Sequence, residues 1–206
     1  MNSESHRHGP LPRALAYSGP VADPRRPALA AQVLIAVQTA VQLAGAVTVG
    51  TGSKLFAQFV PISMPLFVAT VVVFLFWFRR CRLNAEHFAP GTHRYSAGLA
   101  VGAWFIPVAM WWIPRRMALD VLRANSPAGG AWVINAWWAA WLAKTVGGAI
   151  AVQLGSGPYG YSPYDAAVNV VAAVLAILVI RQVTAGQDAA VRADLAAMPF
   201  TRAPAL

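Results

Sequence analysis

The chain has 206 residues, of which 58% are hydrophobic and only 11% charged, with Lys+Arg 16 against Asp+Glu 7. A soluble globular domain carries about 25% charged residues, so this composition argues against one. A basic balance in a soluble protein points to nucleic acid, but here the arginines stand at the ends of apolar runs, where they orient membrane spans, and no nucleic-acid partner is expected.

Residues 1–27 are polar and rich in Pro, His and Arg. They are too long for a signal-peptide n-region and read as a retained, disordered basic cytoplasmic tail. Residues 28–182 read as one membrane helical domain, and 183–206 as an Ala-rich cytoplasmic C-terminal helix and tail. The first apolar run is Ala28 to Gly50. Its Gln38 and Gln42 are one helical turn apart and share a face, which should look at other helices because an amide in hydrocarbon needs a partner. The second run is Phe59 to Phe78, with Pro61 and Pro65 placed in its first two turns, where a missing N–H costs least. The short link around Lys54 makes the two runs antiparallel neighbours.

A basic polar loop is predicted over 79–96, holding Arg79, Arg80, Arg82, Glu86, His87, His93 and Arg94. Ala97 to Ile113 follows, 17 apolar residues broken at Pro107 and stopped at Pro114. Polar residues return over 115–130. Ala131 to Leu154 is the next run, an uncharged turn follows, and Tyr164 to Ile180 is the last. Each long run has the roughly 17–25 apolar residues that a span needs.

Charge bias decides how 97–113 is expected to lie. Five full spans from an inner N-terminus would place seven cations outside and eight inside. Four spans, with 97–113 re-entrant or interfacial, place all 14 arginines inside and leave Lys54 as the outer cation. The positive-inside rule favours the second arrangement, and each proline disfavours helix at the residue before it. The predicted fold is therefore all-α integral membrane: four transmembrane helices in two hairpins plus a Pro-broken segment, with five full spans as the alternative. Both termini are expected in the cytoplasm of a cell whose Arg-over-Lys usage suggests a high-GC genome.

Several ordered signatures carry a resemblance: Trp77-x-Arg79-x-x-Arg82-x-Asn84-Ala85, Trp104-Phe105-Ile106-Pro107 with Trp112 and Pro114, Arg123-Ala124-Asn125-Ser126, Trp137-Trp138-x-x-Trp141, and Arg181-x-Val183-Thr184-x-x-Gln187. Over roughly residues 28–190 the chain resembles actinobacterial membrane proteins catalogued as domain-of-unknown-function family 4328. Met110-Trp111 stands where that family often has Asn-Leu. The resemblance implies a multi-pass protein of the bacterial plasma membrane and brings no activity with it.

Lys144 is the one charge deep in a run, and intramembrane ionisable residues are costly and functional by default. It lies seven residues after Trp137 and three after Trp141, so ammonium and indoles are placed on one stripe that permits a cation–π contact. Gly147 and Gly148 should allow close helix approach beside it. Lys144, Trp137, Trp141, Gln38, Gln42 and Asn169 are thus the candidate ligand or lipid residues, weighed against a lysine that snorkels or bonds to Gln42, Asn169 or carbonyls. Arg79, Arg80, Arg82, Arg115 and Arg116 form a candidate inner-face basic patch for anionic lipid, weighed against span orientation alone. Glu86, His87 and His93 are too sparse for a metal site, and Cys81, the sole cysteine, has no partner thiol. No run contains histidine or, Asp165 at a boundary excepted, a carboxylate. Haem ligation, proton relay and hydrolytic chemistry therefore lack their usual residues, and neither enzyme activity nor a cofactor is expected. The expected function is an interaction or accessory subunit of a plasma-membrane assembly, with a membrane-protein partner or a second copy and with membrane lipids around it. The alternative is a small transporter or anionic-lipid-binding protein using Lys144.

Overall fold

Three of the helices that this chain forms are long and apolar enough to cross a membrane: Arg25–Thr48, Pro61–Phe88 and Pro163–Ala196. The structure, a computed structural model, describes residues 21–50, 56–125, 130–154 and 162–197. Lys54, the uncharged turn after Leu154 and most of the N-terminal tail lie outside the described residues. In chain order the helices are α1 (Arg25–Gly50), α2 (Phe56–Phe88), α3 (Leu99–Gly102), α4 (Ile113–Asn125), α5 (Ala131–Leu142), α6 (Gly148–Gln153) and α7 (Pro163–Ala197). A 3-10 turn, Ala109–Trp111, precedes α4, and a π-helical turn, Ala143–Gly147, joins α5 to α6. The fourth long run is thus helical from Ala131 to Gln153, but through a change of winding.

Local chemistry sets the helix starts. The Asp23 side chain accepts the Arg25 N–H at 3.0 Å, supplying one of the partners that the first turn of a helix lacks. At α7, Ser162 Oγ accepts the Asp165 N–H at 3.1 Å while Asp165 Oδ2 accepts the Ser162 N–H at 3.3 Å. This reciprocal pair is a capping box, and Pro163 occupies the first helical position, where its missing N–H is not needed.

Two stretches read as polar loops are helical instead. α2 starts at Phe56 and runs on to Phe88, so the first ten residues of the predicted basic loop are its last turns, and Pro61 and Pro65 fall in its second and third turns. Cys81, Arg82, Asn84 and Ala85 are all buried, so this end of α2 is gripped by other elements. The 115–130 stretch is mostly α4, which buries Pro114, Met117, Ala118, Leu119, Val121 and Leu122. Pro114, expected to stop a helix, stands in the first turn of one, where proline is tolerated.

Paired contacts give the relative directions. The start of α1 meets the ends of α2 and α7: Ala22 bonds Asn84, and Arg25 bridges Asp188 at 2.9 Å. Trp77 and Thr184 meet partway along α2 and α7. Tyr164 reaches Ala143, and Lys144 reaches Asn169. Hence α1 is antiparallel to α2 and to α7, α2 is parallel to α7, and α5 is antiparallel to α7. Two adjacent hairpins result, with α7 packed on α1, α2, α4 and α5. Arg25, Arg80, Arg82, Arg115, Arg116 and Arg123 all belong to elements gathered at one end.

The segment 97–113 does not cross this bundle. Helix α3 lasts four residues, and turns carry the chain past Pro107 to the 3-10 turn. The Arg116 guanidinium then donates to the Tyr95 hydroxyl at 3.3 Å, so the two ends of the segment meet.

The surface is the reverse of a soluble protein's. Val33, Val37 and Val47 of α1, Met64, Val68 and Val72 of α2, and Val170, Val171 and Val174 of α7 are exposed. Gln38, Asp165 and Asn169 are buried. Contiguous exposed apolar faces of this kind mark contact with membrane or protein.

Candidate functional site

Three sets of side chains carry the chemistry of this molecule. The first is a polar chain between helices. Lys144 Nζ donates to Asn169 Oδ1 at 2.6 Å, and Asn169 Nδ2 donates to Gln42 Oε1. The structure therefore joins three of the predicted residues across α1, α7 and the π turn. Gln38 is buried one turn away, and its Oε1 finds no donor among the described residues. Gly147 provides the close approach expected of it: a Cβ there would stand 1.9 Å from the Tyr164 hydroxyl, which donates to the Ala143 carbonyl at 2.7 Å. A π turn adds a residue to a helical turn, and here that turn carries Lys144.

The second set is aromatic. Trp104, at the entrance to the fold-back segment, sits among Phe74, Trp137, Trp138 and Trp141 with ring centroids 5.8–6.3 Å away. Trp138 and Trp141 stack at 4.7 Å. The tryptophans of α5 thus hold the broken segment. The stripe expected to join Trp137 and Trp141 to Lys144 does not operate as one: the indoles turn to Trp104 and the ammonium turns to α7. The cation–π contact found among the described residues is instead Arg80 over Phe76, at 5.0 Å.

The third set is the arginine-rich end, and its cations have unequal roles. Arg82 is 3% exposed; it donates to Glu86 at 2.8 Å and to the Tyr95 carbonyl at 2.7 Å. The other Glu86 oxygen accepts the Gly91 N–H at 3.0 Å, so this pair closes the turn after α2. Arg115 donates to Asn135 and Arg116 to Tyr95. Arg80 donates to the Asp23 carbonyl at 2.7 Å. Arg79 is exposed and makes no hydrogen bond or ion pair among the described residues.

Sequence reasoning missed a clasp at the same end. Asn84 Nδ2 donates to Gln187 Oε1 at 3.0 Å and to the Ala22 carbonyl at 2.8 Å; Gln187 Nε2 donates to the Cys81 carbonyl at 2.7 Å. Gln187 is fully buried. Trp77 Nε1 donates to Thr184 Oγ1 at 3.2 Å. All four side chains belong to the first and last signatures quoted above. The signal was present in those stretches, but nothing in the sequence paired them.

A family model described as "Domain of unknown function (DUF4328)" matches residues 25–185. No curated protein and no solved structure matches the chain.

Proposed function

The chain belongs to the DUF4328 family, and from that premise we propose that it is a four-span protein of the bacterial plasma membrane that works as an interaction or accessory subunit. In this reading α1, α2, the rod formed by α5, the π turn and α6, and α7 are the spans. The 97–113 segment lies in the inner interface, and both termini and the arginine-rich end face the cytoplasm, as the positive-inside rule requires.

The observation that carries this reading is the Lys144–Asn169–Gln42 chain. Its two hydrogen bonds tie α1, α7 and the π turn together, as polar residues do between helices in lipid. What remains open is surface: Phe105, Ile106, Trp111, Trp112 and Trp132 are exposed, large apolar groups suited to a partner or an interface. Transport or anion binding at Lys144 is the second reading, and it would use the ammonium N–H groups that Asn169 does not take. A photo-crosslinking amino acid at Trp132 in native membranes tests the first. A discrete protein adduct that is absent when the probe replaces Val33 is the expected result. Lipid adducts alone at both positions, and also at Trp112, would contradict the accessory role.

A further inference from the structure

An open cleft of about 180 Å³ lies at the arginine-rich end, bounded by Ala22, Phe76, Arg79, Arg80, Leu83 and Asn84. Its two cations are prepared differently. Arg80 is fixed: one guanidinium nitrogen donates to the Asp23 carbonyl at 2.7 Å, and its carbon lies 5.0 Å from the centre of the Phe76 ring. The remaining guanidinium N–H groups of Arg80 make no hydrogen bond among the described residues. Arg79, beside it, is exposed and makes no hydrogen bond or ion pair among the described residues. Two neighbouring guanidiniums with spare donors suit a phosphate, which accepts several charge-assisted hydrogen bonds at once.

The approach to this cleft is apolar. Met64, Val68, Val72 and Phe76 follow one another at four-residue steps along α2, and they are 64%, 52%, 59% and 53% exposed. The next step in that row is Arg80. At 1.5 Å per residue, Met64 to Phe76 covers about 18 Å, close to the roughly 15 Å thickness of one leaflet's hydrocarbon. An exposed apolar row one leaflet long that ends on two arginines matches a molecule with an acyl chain at one end and a phosphate at the other. A soluble phosphate compound would have no use for the row.

We propose that this cleft seats the phosphate of an anionic phospholipid whose acyl chain lies along Met64, Val68, Val72 and Phe76. The lipid would stay beside α2 as a bound component. Asn84 lines the cleft while holding Ala22 and Gln187, so an occupied seat also steadies the start of α1. The proposal rests on the membrane reading above and adds to it a specific lipid site.

The test uses the full chain purified in mild detergent and followed by native mass spectrometry during titration with phosphatidylglycerol, with phosphatidylcholine and with water-soluble glycerol phosphate. Wild type should retain phosphatidylglycerol in preference to phosphatidylcholine. At about 1 kcal/mol per surface arginine, Arg79→Gln should weaken phosphatidylglycerol about fivefold, and Arg79→Gln with Arg80→Gln roughly thirtyfold. Arg123→Gln, at an exposed arginine outside the cleft, is the control and should change nothing. Equal losses in all these variants would reduce the effect to overall charge and overturn the seat. Glycerol phosphate binding as tightly as the lipid would overturn the acyl-chain assignment. Should the double variant melt early, Arg79→Gln decides alone, because Arg79 holds no other group among the described residues. Failure of the membrane reading is separate: the protein would then be released from membranes by alkaline carbonate, whatever its lipid preference in detergent.

Discussion

Tyr95 and Arg116 are 21 residues apart in the chain, yet the Arg116 guanidinium reaches the Tyr95 hydroxyl at 3.3 Å. Arg82 holds the carbonyl of the same tyrosine. Tyr95 is therefore a latch: α2 and α4 both grip it, and the apolar segment between Tyr95 and Arg116 must leave and return on one side. Trp104, within that segment, is the anchor that keeps the return packed on α5.

Removing that anchor should loosen the segment. Trp104→Ala deletes a large, partly buried side chain that meets four aromatic rings; the same change at a fully buried site costs about 3–5 kcal/mol, and a part of that is expected here. The melting point in detergent should fall strongly, and proteolysis should begin within 97–113. Trp112→Ala, at an exposed ring outside this cluster, should leave both measurements near wild type. Equal effects of the two would show that Trp104 does not hold the segment.

The Asn84–Gln187 clasp should be coupled. Gln187→Leu leaves one Asn84 donor without a partner and removes a second, side-chain donor from the Cys81 carbonyl, and a buried unmet group costs about 1–3 kcal/mol. Asn84→Leu does the same to Ala22. The double variant should be less damaged than the sum of the singles, because the shared bond is lost only once. Strict additivity in thermal or denaturant unfolding would show that the two side chains act independently.

Glycine at 147 should be required by the Tyr164 hydroxyl. Gly147→Ala places a methyl group where that oxygen sits, so stability should drop, and Tyr164→Ala in the same chain should restore part of it. Gly130→Ala should also destabilise, since Gly130 has φ +92° and its Cβ would strike the Gln182 amide. A Gly147→Ala variant with an unchanged melting point would remove the packing argument for the π turn.

Lys144→Met should lower stability modestly. Asn169 Oδ1 loses its donor, and polar contacts between membrane helices contribute about 0.6–1.7 kcal/mol. Retention of anionic lipid should not change, because the proposed seat lies at Arg79 and Arg80. Loss of lipid with an unaltered melting curve would instead make Lys144 a binding group and revive the transport or lipid reading at that position.

These sites differ in how far they could be read in advance. Gln42, Lys144 and Asn169 stood out because polar groups inside apolar runs need partners, and few others were on offer. The ends of α2 and α4 were misread because arginines and prolines look like loop residues. Arg82 is in fact buried against Glu86 and Tyr95, and Pro114 begins a helix whose apolar face is spaced as Met117, Val121 and Ala118, Leu122. The meeting of Asn84 with Gln187, 103 positions apart, depends on how two hairpins dock, and neither residue's local pattern specifies that. The π turn at Lys144 has no sequence signature, and Tyr164 of α7 packs against it at Gly147.

The central claim is that the chain returns at 97–113 instead of crossing, and sided labelling tests it most directly. Single cysteines replace Arg94 or Arg123 in a Cys81→Ser background, and intact cells with a permeabilised wall are treated with a membrane-impermeant thiol reagent. Both positions are exposed on the molecule, so each should label once the membrane is opened. The account predicts that neither labels in intact cells. Strong labelling at position 123 with none at position 94 would establish a full crossing between them and contradict the four-span arrangement.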